Sequence, residues 1–155
     1  MEIRKFTDRD AAVVSALIKK CFDTMDVGGH TEEGKRMQIE SNSPQNLMRR
    51  AQSVRYCIAV EENNVVGICG FDHNKVQTLF VDIRYQHIGI GKALLHKVLK
   101  EAMNEGLSSL KTWATFYSER FYSNAGFRKI GEIHLPEGRN DIILLEMECD
   151  LSKAL

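Results

Sequence analysis

The stretch from Lys75 to Lys92 constrains this chain more than any other. A β-rich run, Lys75 to Asp82, breaks into a short polar turn, and Gln86-His87-Ile88-Gly89-Ile90-Gly91-Lys92 then leads into a long amphipathic helix. A helix N-terminus presents amide N–H groups without intrahelical partners, together with the positive end of the helix dipole. Gly89 and Gly91 carry no Cβ, so an anionic ligand can approach that backbone closely. Strand, glycine turn and helix in this order read as an anion cradle suited to a pyrophosphate.

Two common phosphate loops are excluded by position. A Walker A loop requires Gly-x-x-x-x-Gly-Lys-Ser/Thr, but Gln86 occupies the first glycine position and Ala93 follows Lys92. A dinucleotide fingerprint requires Gly-x-Gly-x-x-Gly, and its third glycine position is Leu94. The pattern that fits, Gln/Arg-x-x-Gly-x-Gly/Ala, resembles the acetyl-CoA pyrophosphate loop of the GNAT superfamily of N-acetyltransferases. A ligand-free strand-to-helix turn could use the same six residues, so the flanks matter. Val81-Asp82-Ile83-Arg84-Tyr85 before the loop and Lys92-Ala93-Leu94-Leu95 after it are similar to GNAT sequences. Further on, Phe121-Tyr122-Ser123-Asn124-Ala125-Gly126-Phe127 is similar to the family's Phe-Tyr-x-x-x-Gly-Phe segment. With two motifs in family order and at family spacing, the chain is identified as a member of that superfamily.

At 155 residues the chain is read as a single domain, 1–155, large enough for a real core. Its 21 basic and 21 acidic residues cancel, which argues against a nucleic-acid binder. No apolar run approaches the roughly 18 residues of a membrane span, and Met1-Glu2-Ile3-Arg4-Lys5 is not an apolar leader, so a cytoplasmic location is expected. Cys21, Cys57, Cys69 and Cys149 are scattered and form no C-x-x-C pair, which reads as four reduced thiols and no metal.

Periodicity gives the elements. Glu2–Phe6 alternates as a strand, and Thr7-Asp8-Arg9-Asp10 is a capping-box-like start for a helix with Ala12, Val13, Ala16, Leu17 and Phe22 on one face. Asp26-Val27-Gly28-Gly29-His30 is a break before a polar helix from Thr31 to about Glu40. Ser43-Pro44 then opens a short helix to about Ala51. Strands Val54–Glu61 and Val65–Asp72 meet at Glu62-Asn63-Asn64, and a turn at His73-Asn74 leads to Lys75–Asp82. The helix Ile88–Glu105, strand Leu110–Thr115, helix Ser118–Ala125 and strands Phe127–Leu135 and Asn140–Cys149 complete the order β-α-α-α-β-β-β-α-β-α-β-β. Alone this gives an α/β (α+β) domain. The resemblance implies a GNAT-like mixed, mostly antiparallel central sheet with helices on both faces, and two parallel strands that splay around the pantetheine arm.

The resemblance also implies a chemistry: transfer of an acetyl group from acetyl-CoA to a primary amine. The amides of His87, Ile88, Gly89, Ile90, Gly91 and Lys92 are expected to bind pyrophosphate, with Gln86 shaping the turn and Lys92 adding charge. Leu79, Phe80 and Val81 are expected along the pantetheine arm, with Thr115 and Phe121 as further cofactor contacts. Many members carry asparagine where Thr115 stands. Tyr122 matches the family's general acid; a phenol with a pKa near 10 is protonated at neutral pH. Tyr117 is its competitor. Many members have a glutamate base at the position of Lys75, and a charged lysine cannot replace it; Asp72, His73, Asp82 and water are the alternatives. The acceptor is expected between the loops Phe22–Glu33 and His134–Asn140, where Asp26, His30, Glu32 and Glu33 could meet a cationic amine or simply face solvent. Three functions compete. They are acetylation of a small amine (amino acid, polyamine or amino-sugar), acetylation of a protein lysine or N-terminus, and a silent acetyl-CoA-binding module. Neither nucleic acid nor membrane is an expected partner; a homodimer is left open.

Overall fold

The computed structural model describes residues 1–154. Strand β1 (Glu2–Lys5) is followed by a 3-10 turn at Asp8–Asp10 and by helices α1 (Ala11–Thr24), α2 (Glu32–Ser41) and α3 (Pro44–Arg50). The meander β2 (Arg55–Glu61), β3 (Asn64–Asp72), β4 (Lys75–Val81) comes next, then α4 (Ile90–Asn104), β5 (Ser109–Ala114), α5 (Glu119–Asn124), β6 (Phe127–Leu135) and β7 (Ile142–Asp150). A terminal helix α6 (Leu151–Ala154), not expected from periodicity, seats Leu151 in the core. No helix among the described residues is long and apolar enough to cross a membrane.

Local chemistry explains the boundaries. The Asp10 carboxylate accepts from the Thr7 amide at 2.7 Å and from both terminal nitrogens of Arg4, so the capping box also ties the helix to β1. Thr31 and Ser43 cap α2 and α3 by accepting from the Gly34 and Asn46 amides. The β2–β3 hairpin is tighter than the expected three-residue turn. Glu62 and Asn63 take φ of 51° and 66°, which makes a two-residue turn of the primed kind and leaves Asn64 in the strand.

The seven strands form one mixed sheet in the order β1-β2-β3-β4-β5-β7-β6, antiparallel everywhere except between β4 and β5. Helices cover both faces. Val14, Ile18, Phe22 and Leu47 from α1 and α3 pack with Tyr56, Ile58 and Ile68 on one side. Leu94, Leu95, Val98 and Leu99 of α4 pack with Val66, Leu110 and Met147 on the other. The stripe of α4 is therefore core, as its spacing indicates.

The parallel pair positions the site. β4 and β5 share one register pair, Lys75 opposite Lys111, and the Lys111 amide donates to the Asn74 carbonyl at 2.7 Å. Beyond it the strands part. Gln77 is an extra residue in β4, because Gly70 opposes Thr78 while Phe71 opposes Val76; such a bulge bends its strand. The Asp82 amide bonds to the Val66 carbonyl. Since backbone groups alternate sides along a strand, Phe80 and Thr78 also point to β3, whereas Leu79 and Val81 turn their N–H and C=O toward the gap. Of the three residues expected along the arm, Leu79 and Val81 turn their backbone to the gap and Phe80 turns its backbone to β3.

The α1–α2 loop closes one side of the gap. The Ile143 amide donates to Gly29 O, the Thr31 amide donates to Asp141 O, and His30 bridges Ile142. Gly34 is required here, because a Cβ at that position would run into the Asp141 carbonyl. Gly34→Ala is expected to lower stability by about 1–3 kcal/mol, the usual cost of forcing atoms into a packed contact. Urea unfolding monitored by circular dichroism checks this; an unchanged midpoint would show that the contact yields freely.

Candidate active site

The splayed strands open a cleft of about 780 Å3. Its walls are the β4 edge, the loop before α4, the end of β5 with α5, parts of α1 and α2, and the β6–β7 hairpin. Of the residues expected to act, Leu79, Phe80, Val81, Gln86, His87, Gly89, Gly91, Lys92, Thr115, Phe121 and Tyr122 all line it. Ile88 and Ile90 do not. The Ile88 side chain is 67% exposed and that of Ile90 is 4% exposed in the core, so each offers only its backbone.

The loop is held by side chains rather than by a ladder. Gln86 donates from Nε2 to the Val81 carbonyl at 2.9 Å, and its Oε1 accepts from the Tyr117 hydroxyl at 3.0 Å. That bond commits Tyr117 to positioning Gln86. His87 and Gly89 take φ of 65° and 94°, the left-handed region that turns successive amides to one side. The first internal bond of α4 is Ala93 N–H to Gly89 O. Among the described residues, none of the amides from His87 to Lys92 has a protein acceptor. The two glycines serve differently. A Cβ on Gly89 would meet nothing within 4 Å, so its need is conformational. A Cβ on Gly91 would stand 3.3 Å from the Phe121 ring, so its need is close packing of α5 on α4.

Tyr122 is 4% exposed and held edge-on by Phe121 and Phe127, with ring centroids 5.3 and 5.2 Å away. Burial pushes its phenol well above the usual tyrosine range, aided by Cys69 and opposed by Thr112, which keeps it protonated at neutral pH. Thr115 uses its hydroxyl locally: it lies 2.9 Å from Ser118 Oγ and accepts from the Ser118 amide, fixing the turn into α5. Cys21 also lines the cleft, its thiol directed to Val81 O at 3.4 Å. Burial, with a contribution from Asp82, pushes that thiol up to about 11.

At the other end of β4, Lys75 lies over the Trp113 ring with Nζ 2.9 Å from its centroid, and Trp113 Nε1 donates to Glu146 at 3.2 Å. Burial lowers the Lys75 pKa to about 8, against the smaller opposing effect of Glu146. Sequence reasoning missed a polar cluster in the lining. Arg50 donates to Tyr56 Oη at 3.0 Å, to Ser41 O at 2.7 Å and to Asn42 Oδ1 at 2.5 Å, and Tyr56 Oη lies 3.0 Å from Thr78 Oγ1. Arg50, Ser41, Asn42 and Thr78 line the cleft. Nothing local marks them, since the helices that bring them together are distant from β4 in sequence.

The acidic and imidazole groups proposed for the acceptor are elsewhere. Asp26 caps the Gly28 amide, Glu32 and Glu33 pair with Lys35 and Arg36, and His30 is bound to Gly28 O beside Gln38. Asp72, His73, Asp82 and His134 also lie outside the cleft lining.

Comparisons with known proteins bear on the family and the fold. Residues 26–151 match the family model described as acetyltransferase (GNAT) domain. A GCN5-related N-acetyltransferase from Rhodopseudomonas palustris superposes with a TM-score of 0.87 at 18% identity, covering 96% of this chain and 94% of that one. The paia N-acetyltransferase of Thermoplasma acidophilum, in complex with coenzyme A, gives 0.79 at 21% identity over 96% and 98%. Salmonella typhimurium yncA, with its cofactor acetyl-CoA, gives 0.69 at 16% over 97% and 94%. At these identities the likeness is one of fold. Among curated proteins no sequence matches.

The local environment makes a checkable statement about Lys75. Because burial favours the neutral amine, Lys75 is expected to be half deprotonated near pH 8, whereas an ordinary lysine titrates near about 10.4. Competitive labelling with acetic anhydride at a series of pH values, read by mass spectrometry, measures this. A Lys75 that titrates with the surface lysines would contradict the burial.

Proposed function

The chain belongs to the GNAT acetyltransferase family, and on that premise we propose that it acts as a single N-acetyltransferase domain transferring acetyl from acetyl-CoA to the primary amine of a small molecule. The observation that carries this reading is the row of six unpartnered amides, His87 to Lys92, at the mouth of the parted strands. Unsatisfied amides at a helix N-terminus in a polar cleft fit phosphate oxygens, and Lys92 stands beside them in the lining.

Bound acetyl-CoA would supply an activated acetyl thioester; the rest of the chemistry falls to this chain. The N–H and C=O groups of Leu79 and the N–H of Val81 face the gap and can hydrogen-bond an extended amide-bearing arm, while the Val81 carbonyl holds Gln86. The same N–H groups are the available donors to a carbonyl held there. Transfer forms a C–N bond and breaks a C–S bond, so one proton leaves the amine and one reaches sulfur. Tyr122 holds a proton on an aromatic-clamped phenol in the cleft, which suits it to the second task. Among the described residues no carboxylate lines the cleft; in this reading the amine reacts in its neutral form and its proton passes to water. Cys21, with its thiol pushed up to about 11, is a poor nucleophile, which favours direct transfer over an acetyl-enzyme. The volume of the cleft and its closure by the docked α1–α2 loop favour a small acceptor over a folded protein.

Tyr122→Phe tests the assignment, since it removes one hydroxyl and leaves the clamped ring. CoA affinity by calorimetry is expected to stay within about threefold, while kcat falls on the order of 10²-fold or more. Equal kcat for the two proteins would remove Tyr122 from the chemistry and leave protonation of sulfur to water.

A further inference from the structure

The chain has 21 acidic residues, yet none lines the cleft. Its lining does include four cationic side chains: Arg50, Lys75, Lys92 and Arg120. None of the four forms a salt bridge among the described residues. They fall into two groups. Lys92 lies on the first turn of α4, next to the amide row, and Arg120 on α5, which packs against that turn. Lys75 begins β4, whose C-terminal end leads into the loop, and so stands roughly 20 Å away along the strand. Arg50 lines the same cleft and is tied through Tyr56 to Thr78, three residues from Lys75 along β4.

A pyrophosphate accounts for the first group and leaves the second without an anion. Arg50 is fixed by neutral partners only: a carbonyl, an amide oxygen and a phenol. Those bonds use three of its five N–H groups. Lys75 is half-buried against Trp113 and forms no salt bridge among the described residues, although Glu146, bound to Trp113 Nε1, raises its pKa by less than burial lowers it. Two half-buried cations without an ion-pair partner, Lys75 feeling Glu146 more weakly than its own burial, are stabilised by an anion that arrives to pair with them. A polycationic acceptor would meet only like charge here.

We propose that the acceptor carries a carboxylate as well as its amine, and that Arg50 and Lys75 hold that carboxylate, so that the substrates are amino acids or close relatives. This rests on the acetyl-transfer reading for the amine end only; the anion site stands on Arg50, Lys75 and the absence of acids in the lining. Trp113 supplies the flat wall between the sheet and the ligand, and Gln38, Ser41 and Asn42 offer neutral polar contacts.

The test uses a panel of amino acids and their α-amides as acceptors with acetyl-CoA, read as CoA release. Saturation-transfer NMR of the same compounds on the CoA-loaded protein runs beside it. The best acid is expected to exceed its amide by about tenfold or more in kcat/KM, the effect of one modest charge pairing. Lys75→Met and Arg50→Gln should each bring that ratio to near one, while Lys75→Arg, which keeps a cation, retains the preference. Arg50 also braces α3, so Lys75→Met serves as the independent variant if Arg50→Gln does not fold. An amide used as well as its acid by the wild type overturns the proposal, as does an unchanged ratio in Lys75→Met. If no compound is turned over but acids still bind selectively and lose binding in Lys75→Met, the carboxylate site stands and the acetyl-transfer reading falls. Neither turnover nor acid-selective binding would overturn the site as well.

Discussion

The structure depends on one incomplete strand pairing. β4 and β5 meet at Lys75 and Lys111 and then separate, although each is well anchored on its far side, β4 to β3 and β5 to β7. Backbone groups removed from both water and partners are costly, so a gap inside a sheet persists only when the surrounding packing enforces it. Here α4 fills one side with Ile90, Leu94 and Val98, while Phe22 of α1 packs on Phe80 from the other. The bulge at Gln77 lies where the strands diverge, and beyond it the backbone groups of Leu79 and the Val81 N–H face the gap.

The same geometry sorts charge. Helix α4 starts where β4 ends, so the unpartnered amides and Lys92 gather at one end of the cleft. The packing of α2 and α3 brings Arg50 to Tyr56, which meets Thr78 three residues from Lys75 on β4. The protein as a whole is neutral, but its cleft is not. Distribution of charge, rather than net charge, is what a small anionic ligand experiences in a partly dry site.

Much of this was legible beforehand. Element order and nearly every boundary followed from period and caps, because Thr31, Ser43, Gly106 and Gly126 act within one turn of where they stand. The loop and Phe121-Tyr122 could be picked out because they are contiguous motifs. What could not be read were contacts made at a distance. The Tyr117 bond to Gln86, the Gly91 contact with Phe121 and the Arg50–Tyr56–Thr78 chain each join segments far apart in sequence. Acidic residues near the expected acceptor loops looked available, yet helix geometry pairs Glu33 with Arg36, and a loop turn gives Asp26 the Gly28 amide. Lys75 looked like a departure from a catalytic position; burial against Trp113 gives it a different character that no single residue type reveals.

The account turns on whether the row of unpartnered amides receives a pyrophosphate. Titration of the 15N-labelled protein with CoA, followed by amide NMR, tests this most directly. The resonances of His87 to Lys92 are expected to shift downfield together and to gain protection from exchange, with Leu79 and Val81 following as the gap fills. CoA binding that leaves those amides unmoved, or no binding at all, would contradict the account.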